Sequence, residues 1–246
     1  MPSNNGGPRL VLTVHKVGRG WFDHTSVRPI QLQRILQSLA DSDRDRLALT
    51  FDDGYACLAD ILPGMVEEFG LRPMVFIPTN FIGKANVWDY TSVFRPAWHL
   101  DRDQIRALAS GGVEFGSHGH THRLLTGLTD SALEIELRTS KSILEDLTGR
   151  PVVCISYPFG RYNKRVMRTA ERAGYQFGFG SQWPSAGDPR LSMGRITLYG
   201  WDTPFSVARK TGEKWVQIEK AKAEISGFLS GGTIIYQEIR AISGRM

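Results

Sequence analysis

No apolar run in this chain approaches the length of a membrane-spanning helix, which excludes a helical membrane span. Cysteine is almost missing: Cys57 and Cys154 are the two in 246 residues. Both fall in apolar stretches, so they read as small buried hydrophobes rather than a disulfide pair or a thiolate metal site. There is no dense basic run either. The 30 Lys and Arg against 25 Asp and Glu give a net charge of +5, spread along the chain. A dispersed charge of this kind does not make a nucleic-acid footprint, so no nucleic-acid partner is expected. Low-complexity tracts and internal repeats are absent. Residues 1–8 are polar and Gly-rich, and 9–14 are too short and strand-like for a secretory h-region, so the expectation is a soluble cytoplasmic protein. Histidine is scarce, with six in all and none after His122.

What is present is enough for a core. The chain is 41% hydrophobic and of a length that α/β barrels use as one unit, so a single domain over 1–246 is expected. Short apolar strands are predicted at 10–14, 47–51, 74–77, 113–115, 152–155, 175–179 and 196–198. Helices are predicted between them at 29–40, 58–69, 103–110, 131–147 and 164–173, with Gly70, Gly111 and Gly174 placed as stops. Pro63 is read as an entry or kink in the second of these. Beyond 201, Pro204 opens a helix, 214–229 reads as another, and 233–239 as a last strand or an interface. Alternation of this kind argues for a mostly parallel sheet covered by helices, and about seven units favour closure into a barrel.

The reactive residues sit where such folds place their sites, at the C-terminal ends of strands. Thr50-Phe51-Asp52-Asp53-Gly54 ends one strand, and Gly116-Ser117-His118-Gly119-His120-Thr121-His122 follows another. Ser156-Tyr157-Pro158-Phe159-Gly160 follows a third, and His15 ends the first. Adjacent carboxylates are costly to bring together without a positive charge nearby, although Asp-Gly alone is a common turn. His118 and His122 are four apart, so one helical turn would put both imidazoles on one face and point His120 away. One Asp with two His leaves a coordination position open for water, as catalytic rather than structural metal sites do.

The first two of these runs resemble the leading motifs of the polysaccharide deacetylases, the NodB-homology group or carbohydrate esterase family 4. Tyr157-Pro158-Phe159-Gly160 resembles a variant third motif, and the resemblance runs from about residue 10 to 198. It implies a distorted (β/α)7 barrel and metal-dependent removal of N-acetyl groups from N-acetylglucosamine-containing saccharides. By position in the motifs, Asp53, His118 and His122 would hold the divalent metal, with Zn2+ expected and Co2+, Ni2+ or Mn2+ as alternatives. Asp52 would be the general base toward water activated at that metal, and the backbone N–H of Phe159 would stabilise the oxyanion.

Two features of the family pattern are missing here. The Leu-x-His motif that supplies the general acid near the C-terminus is absent. His15 could take its place, as in a circularly permuted subgroup of poly-N-acetylglucosamine deacetylases, or it could simply cap a strand end. The arginine of the third motif is absent too. Arg195 could orient Asp52 from another strand end or could lie on the surface; Arg161 is a second candidate. Tyr157 and Trp88 are expected against substrate, Trp88 with Asp89 and Tyr90 in a loop whose aromatics could stack on a sugar or pack the loop. Trp183 and Trp201 carry the same ambiguity, and Trp98 and His99 read as packing or cap residues. Alternatives to the deacetylase are an amidase or cyclic imidase on a small molecule and a degenerate carbohydrate-binding protein.

Overall fold

The computed structural model describes residues 10–18, 26–39, 47–87, 97–180 and 189–210. Trp88, Asp89, Tyr90, Trp183 and the two elements expected at 214–229 and 233–239 lie outside these residues.

Nine strands and six α-helices alternate among the described residues: β1 (Leu10–Val14), β2 (Lys16–Val17), β3 (Ser26–Val27), α1 (Pro29–Ser38), β4 (Leu47–Phe51), α2 (Leu58–Phe69), β5 (Met74–Ile77), α3 (Arg102–Ser110), β6 (Glu114–Ser117), α4 (Asp130–Thr148), β7 (Cys154–Ser156), α5 (Lys164–Arg172), β8 (Phe177–Phe179), β9 (Ile196–Thr197) and α6 (Pro204–Lys210). Capping sets the helix ends. Asp101 accepts from the backbone of Asp103 and Gln104 to start α3, and Thr129 accepts from Ala132 to start α4. Pro63 is held inside α2 rather than at its start, and Gly70 closes that helix in the left-handed conformation. Strand β6 runs two residues past the expected 113–115, because Gly116 and Ser117 continue the pairing with β5. The parallel pair β2–β3 is not foreseen, since two-residue strands carry no period-two pattern to read.

Seven strands form one sheet in the order β8-β7-β6-β5-β4-β1-β9, and every pairing in it is parallel. The edges meet through one stretch of chain. Ile196 and Thr197 pair with Leu12 and Thr13 of β1, while Met193, three residues earlier, bridges Phe179 of β8. That double pairing closes the sheet as a distorted seven-stranded barrel, as expected. Strand alternation divides the core into two parts. Leu12, Val14, Leu49, Val75, Ile77 and Ile155 pack outward with helix residues such as Leu32, Leu62, Leu108 and Leu137. Val11, Met74, Phe76, Cys154 and Phe179 form a second, inner cluster. Both cysteines are free thiols. No helix among the described residues is long and apolar enough to cross a membrane.

Candidate active site

The chain leaves β4 by an abrupt turn. Asp52 N donates to Val14 O of the neighbouring strand (3.0 Å). Asp53 (φ 67°) and Gly54 (φ 63°) then both adopt left-handed backbone. Glycine suits 54 because the left-handed backbone strains any side chain there, and a Cβ would also have to displace the terminal methyl of Ile77. His99 braces the turn. Its ring is buried, stacks on Tyr55 (4.9 Å) and hydrogen-bonds the carbonyl of Asp53 through Nδ1 (2.7 Å). A carbonyl can only accept, so Nδ1 carries the proton; burial holds the ring's pKa down to about 4 and keeps it neutral. The expected cap or packing residue is thus the support of the aspartate loop.

His118 and His122 are not on a helical turn, contrary to the spacing argument. Gly119 (φ 76°) and His122 (φ 55°) are both left-handed, so the loop after β6 folds back and brings the rings together at 4.8 Å in an edge-on arrangement. Two anchors set that path. His118 Nδ1 donates to Ser156 O (2.7 Å). Glu136, buried on α4, accepts from Thr121 N (2.6 Å) and from its hydroxyl (2.9 Å). A Cβ on Gly119 would stand 3.0 Å from the Glu136 carboxylate, so small size matters there as well as φ. His120 turns aside to the Thr79 hydroxyl (2.8 Å).

Asp53, His118 and His122 converge with one ligand-type atom each, all within 4.8 Å. Asp53 Oδ1 lies 3.6 Å from His118 Nε2 and 3.4 Å from His122 Nε2. Ligands of a tetrahedral ion at metal–nitrogen and metal–oxygen lengths near 2.1 Å stand roughly 3.4 Å apart, so the two distances from Asp53 suit a divalent ion held by these three side chains. The donors suit it also. Burial lowers the pKa of His118 to about 4 and that of His122 well below the usual histidine value, so both present lone pairs. The Ser156 carbonyl fixes the His118 tautomer that frees Nε2. Asp53, His122 and Phe159 (φ 60°) are the three non-glycine residues with positive φ among the described residues, and all belong to this site, since the Phe159 ring meets His122 edge-on at 5.0 Å. Such backbone costs about 1–3 kcal/mol per residue and persists where function constrains the chain.

Asp52 belongs to a second cluster. Arg195, the residue just before β9, reaches it with Nη1 to Oδ1 at 2.8 Å and Nη2 to Oδ2 at 2.7 Å. Nη2 also donates to Ser156 Oγ (2.9 Å), and the Ser156 hydroxyl donates to Asp52 Oδ2 (3.3 Å). The guanidinium lies over the rings of Phe76 (5.7 Å) and Phe179 (5.9 Å), so it enters the barrel interior and is 6% exposed rather than on the surface. Burial is the largest single influence and would raise the Asp52 pKa, but the Arg195 charge and hydrogen bonds, with smaller contributions from His118 and His15, together outweigh it and hold the carboxyl below the usual carboxylate range. His15 Nε2 stands 3.9 Å from Asp52 Oδ2, with a third of its side chain exposed.

Tyr157 is a correction. Expected against substrate, it is fully buried, stacks on Tyr162 (4.9 Å) and donates its hydroxyl to Leu191 O (3.0 Å). The residue after β7 points into the core because the period of two turns it away from Ser156, which faces the site. Trp88 lies outside the described residues. Ser156, Glu136 and His99 were missed as site residues. A signal existed for Glu136: with Ser140 it interrupts the apolar face Leu133, Leu137, Leu144 of α4, and a carboxylate on a buried stripe needs a partner.

Residues 40–178 match the polysaccharide deacetylase family. The Bacillus subtilis protein YxkH, named for the same family, is 30% identical over 130 residues, or 53% of this chain and 42% of that one. The chain therefore matches less than half the length of this curated relative. Among solved structures, the Streptococcus pyogenes deacetylase PplD in complex with acetate superposes with a TM-score of 0.67 at 20% identity, covering 82% of this chain and 97% of that one. A polysaccharide deacetylase from Bacillus cereus gives 0.67 at 24% identity over 82% and 68%. At these identities the structures establish the shared fold.

Proposed function

The chain belongs to the polysaccharide deacetylase family, and from that premise we propose that it hydrolyses N-acetyl groups on amino-sugar saccharides containing N-acetylglucosamine. The observation that carries this reading is the convergence of Asp53, His118 and His122 beside a carboxylate held ionised in a buried setting. A zinc or related divalent ion bound there would polarise the acetamide oxygen and lower the pKa of water to about 7.

The chain's own residues divide the remaining work. Asp52 accepts the proton of the attacking water, and Arg195 keeps it ionised between turnovers and fixes the direction of its oxygens. The clamp makes Asp52 a weak base, so the proton does not rest there. The 3.9 Å between His15 and Asp52 supports His15 as the group that carries a proton to the departing amine, which cannot leave as an amide anion. The N–H of Phe159 is the proposed donor to the tetrahedral oxygen, on a loop set by its left-handed backbone. Acetate release from N-acetylglucosamine oligomers, lost with chelator and restored by zinc or cobalt, is the expected result. Metal-independent release would overturn the metal's role, and no release from any N-acetylated saccharide would overturn the reading and favour a small-molecule amidase.

A further inference from the structure

An exposed tryptophan is ordinary on a protein surface. Trp201 differs in what lies beneath it. It is 59% exposed, yet its indole lies nearly parallel (13°) on the ring of buried Tyr199, with centroids 4.9 Å apart. Under the pair sits a buried ion pair: Asp202 Oδ2 accepts from Lys210 Nζ at 2.6 Å and from Tyr199 N at 2.9 Å. Ser206 donates to the other carboxylate oxygen (2.8 Å). Lys210 also donates to Thr197 O (3.2 Å) and stands over the Tyr199 ring at 5.3 Å. The side-chain amide of Gln31, from α1, donates to the carbonyls of Tyr199 and Asp202. A buried ion pair returns little net stability after desolvation. Here its effect is geometric, fixing a surface turn so that one indole face looks outward.

The turn is at the site's rim. β9 runs parallel to β1, with Thr13 opposite Thr197, and Leu198 N continues the ladder to Thr13 O (2.9 Å). Leu198 is the last residue tied to β1, whose end carries His15, and the turn that holds Tyr199 and Trp201 follows directly from it.

We propose that Trp201, seated on Tyr199, is a stacking subsite for one pyranose unit of a saccharide chain whose neighbouring unit lies at Asp53, His118 and His122. The second half of that statement rests on the deacetylase reading; the stacking does not. A chair-form pyranose presents a face of axial C–H groups, polarised by the adjacent oxygens, and the negative face of an indole attracts it. This contact ignores the N-acetyl group. It selects for chain length and leaves the chemistry of the acetyl carbon to the metal site.

The test is calorimetry on the full chain in chelator, with chitotetraose and the unacetylated cellotetraose as probes, comparing wild type with Trp201→Ala and Trp201→Tyr. Both tetrasaccharides should bind wild type, with Trp201→Ala about five- to tenfold weaker and Trp201→Tyr close to wild type. In the metal-loaded enzyme, Trp201→Ala should raise KM for the tetrasaccharide with kcat held and leave the monosaccharide unaffected. Equal affinities of wild type and Trp201→Ala, or no binding of either probe by wild type, would overturn the subsite. Trp201-dependent binding of cellotetraose without acetate release from any acetylated oligomer would keep the subsite and sink the deacetylase reading.

Discussion

The two halves of the site lie side by side and are held by different forces. The triad of Asp53, His118 and His122 comes from two strand-end loops and depends on backbone: left-handed residues, carbonyl acceptors and imidazoles kept neutral by burial. The Asp52 cluster comes from β1, β4, β7 and the closing strand, and depends on charge. Its central bond joins residues 143 apart in sequence. A site can therefore fail in two ways, through local chain geometry or through long-range charge balance, and variants should separate them.

The largest effect should come from the triad. His118→Ala is expected to abolish metal binding and bring acetate release to background, with elemental analysis as the check. Asp52→Asn should keep its metal yet lose about 10²–10⁴-fold in kcat; loss of metal in this variant would mean that the halves are not separable. Arg195→Met should leave Asp52 as an uncompensated buried charge, costing about 3–5 kcal/mol in denaturant unfolding. With the guanidinium gone the Asp52 pKa rises, so the acidic limb of kcat/KM moves to higher pH. The smallest effect concerns the resting protein without metal. His99 and His118, with pKa values held near 4, take up protons on unfolding, so stability should fall as pH drops from about 6.5 toward 4. Asp52, whose folded pKa is lowered, loses its contribution only below the ordinary aspartate range. A flat pH–stability profile in that window would contradict neutral imidazoles in the triad.

The same division explains what could be read from sequence. The barrel was legible because short apolar strands and capped helices alternate, and Gly70 and Gly149 stop their helices where a left-handed cap is needed. The ligand motifs were legible because each lies within a few residues. Their geometry was not: a spacing of four suggested a helix, whereas positive φ at Gly119 and His122 made a folded-back loop. Glu136 and His99 were missed because their partners, Thr121 and the Asp53 carbonyl, are 15 and 46 residues away. The motif that drew attention to Tyr157 does not show which way its side chain turns: Ser156, one residue earlier, faces the site and Tyr157 faces the core.

The seam has a kinetic consequence. Arg195 lies between Met193, which touches β8, and Ile196, which pairs with β1. The Asp52 carboxylate thus acquires its counter-charge only when the last strand docks and the ring of strands is complete. An intermediate with the seam open would bury that carboxylate without compensation and should be sparsely populated. Docking must also bring together residues far apart in the chain, and the logarithm of the folding rate falls as such contact order rises. Acquisition of the catalytic charge arrangement and completion of the fold should then share one slow refolding phase, and activity should return on the same time course as the last structural probe.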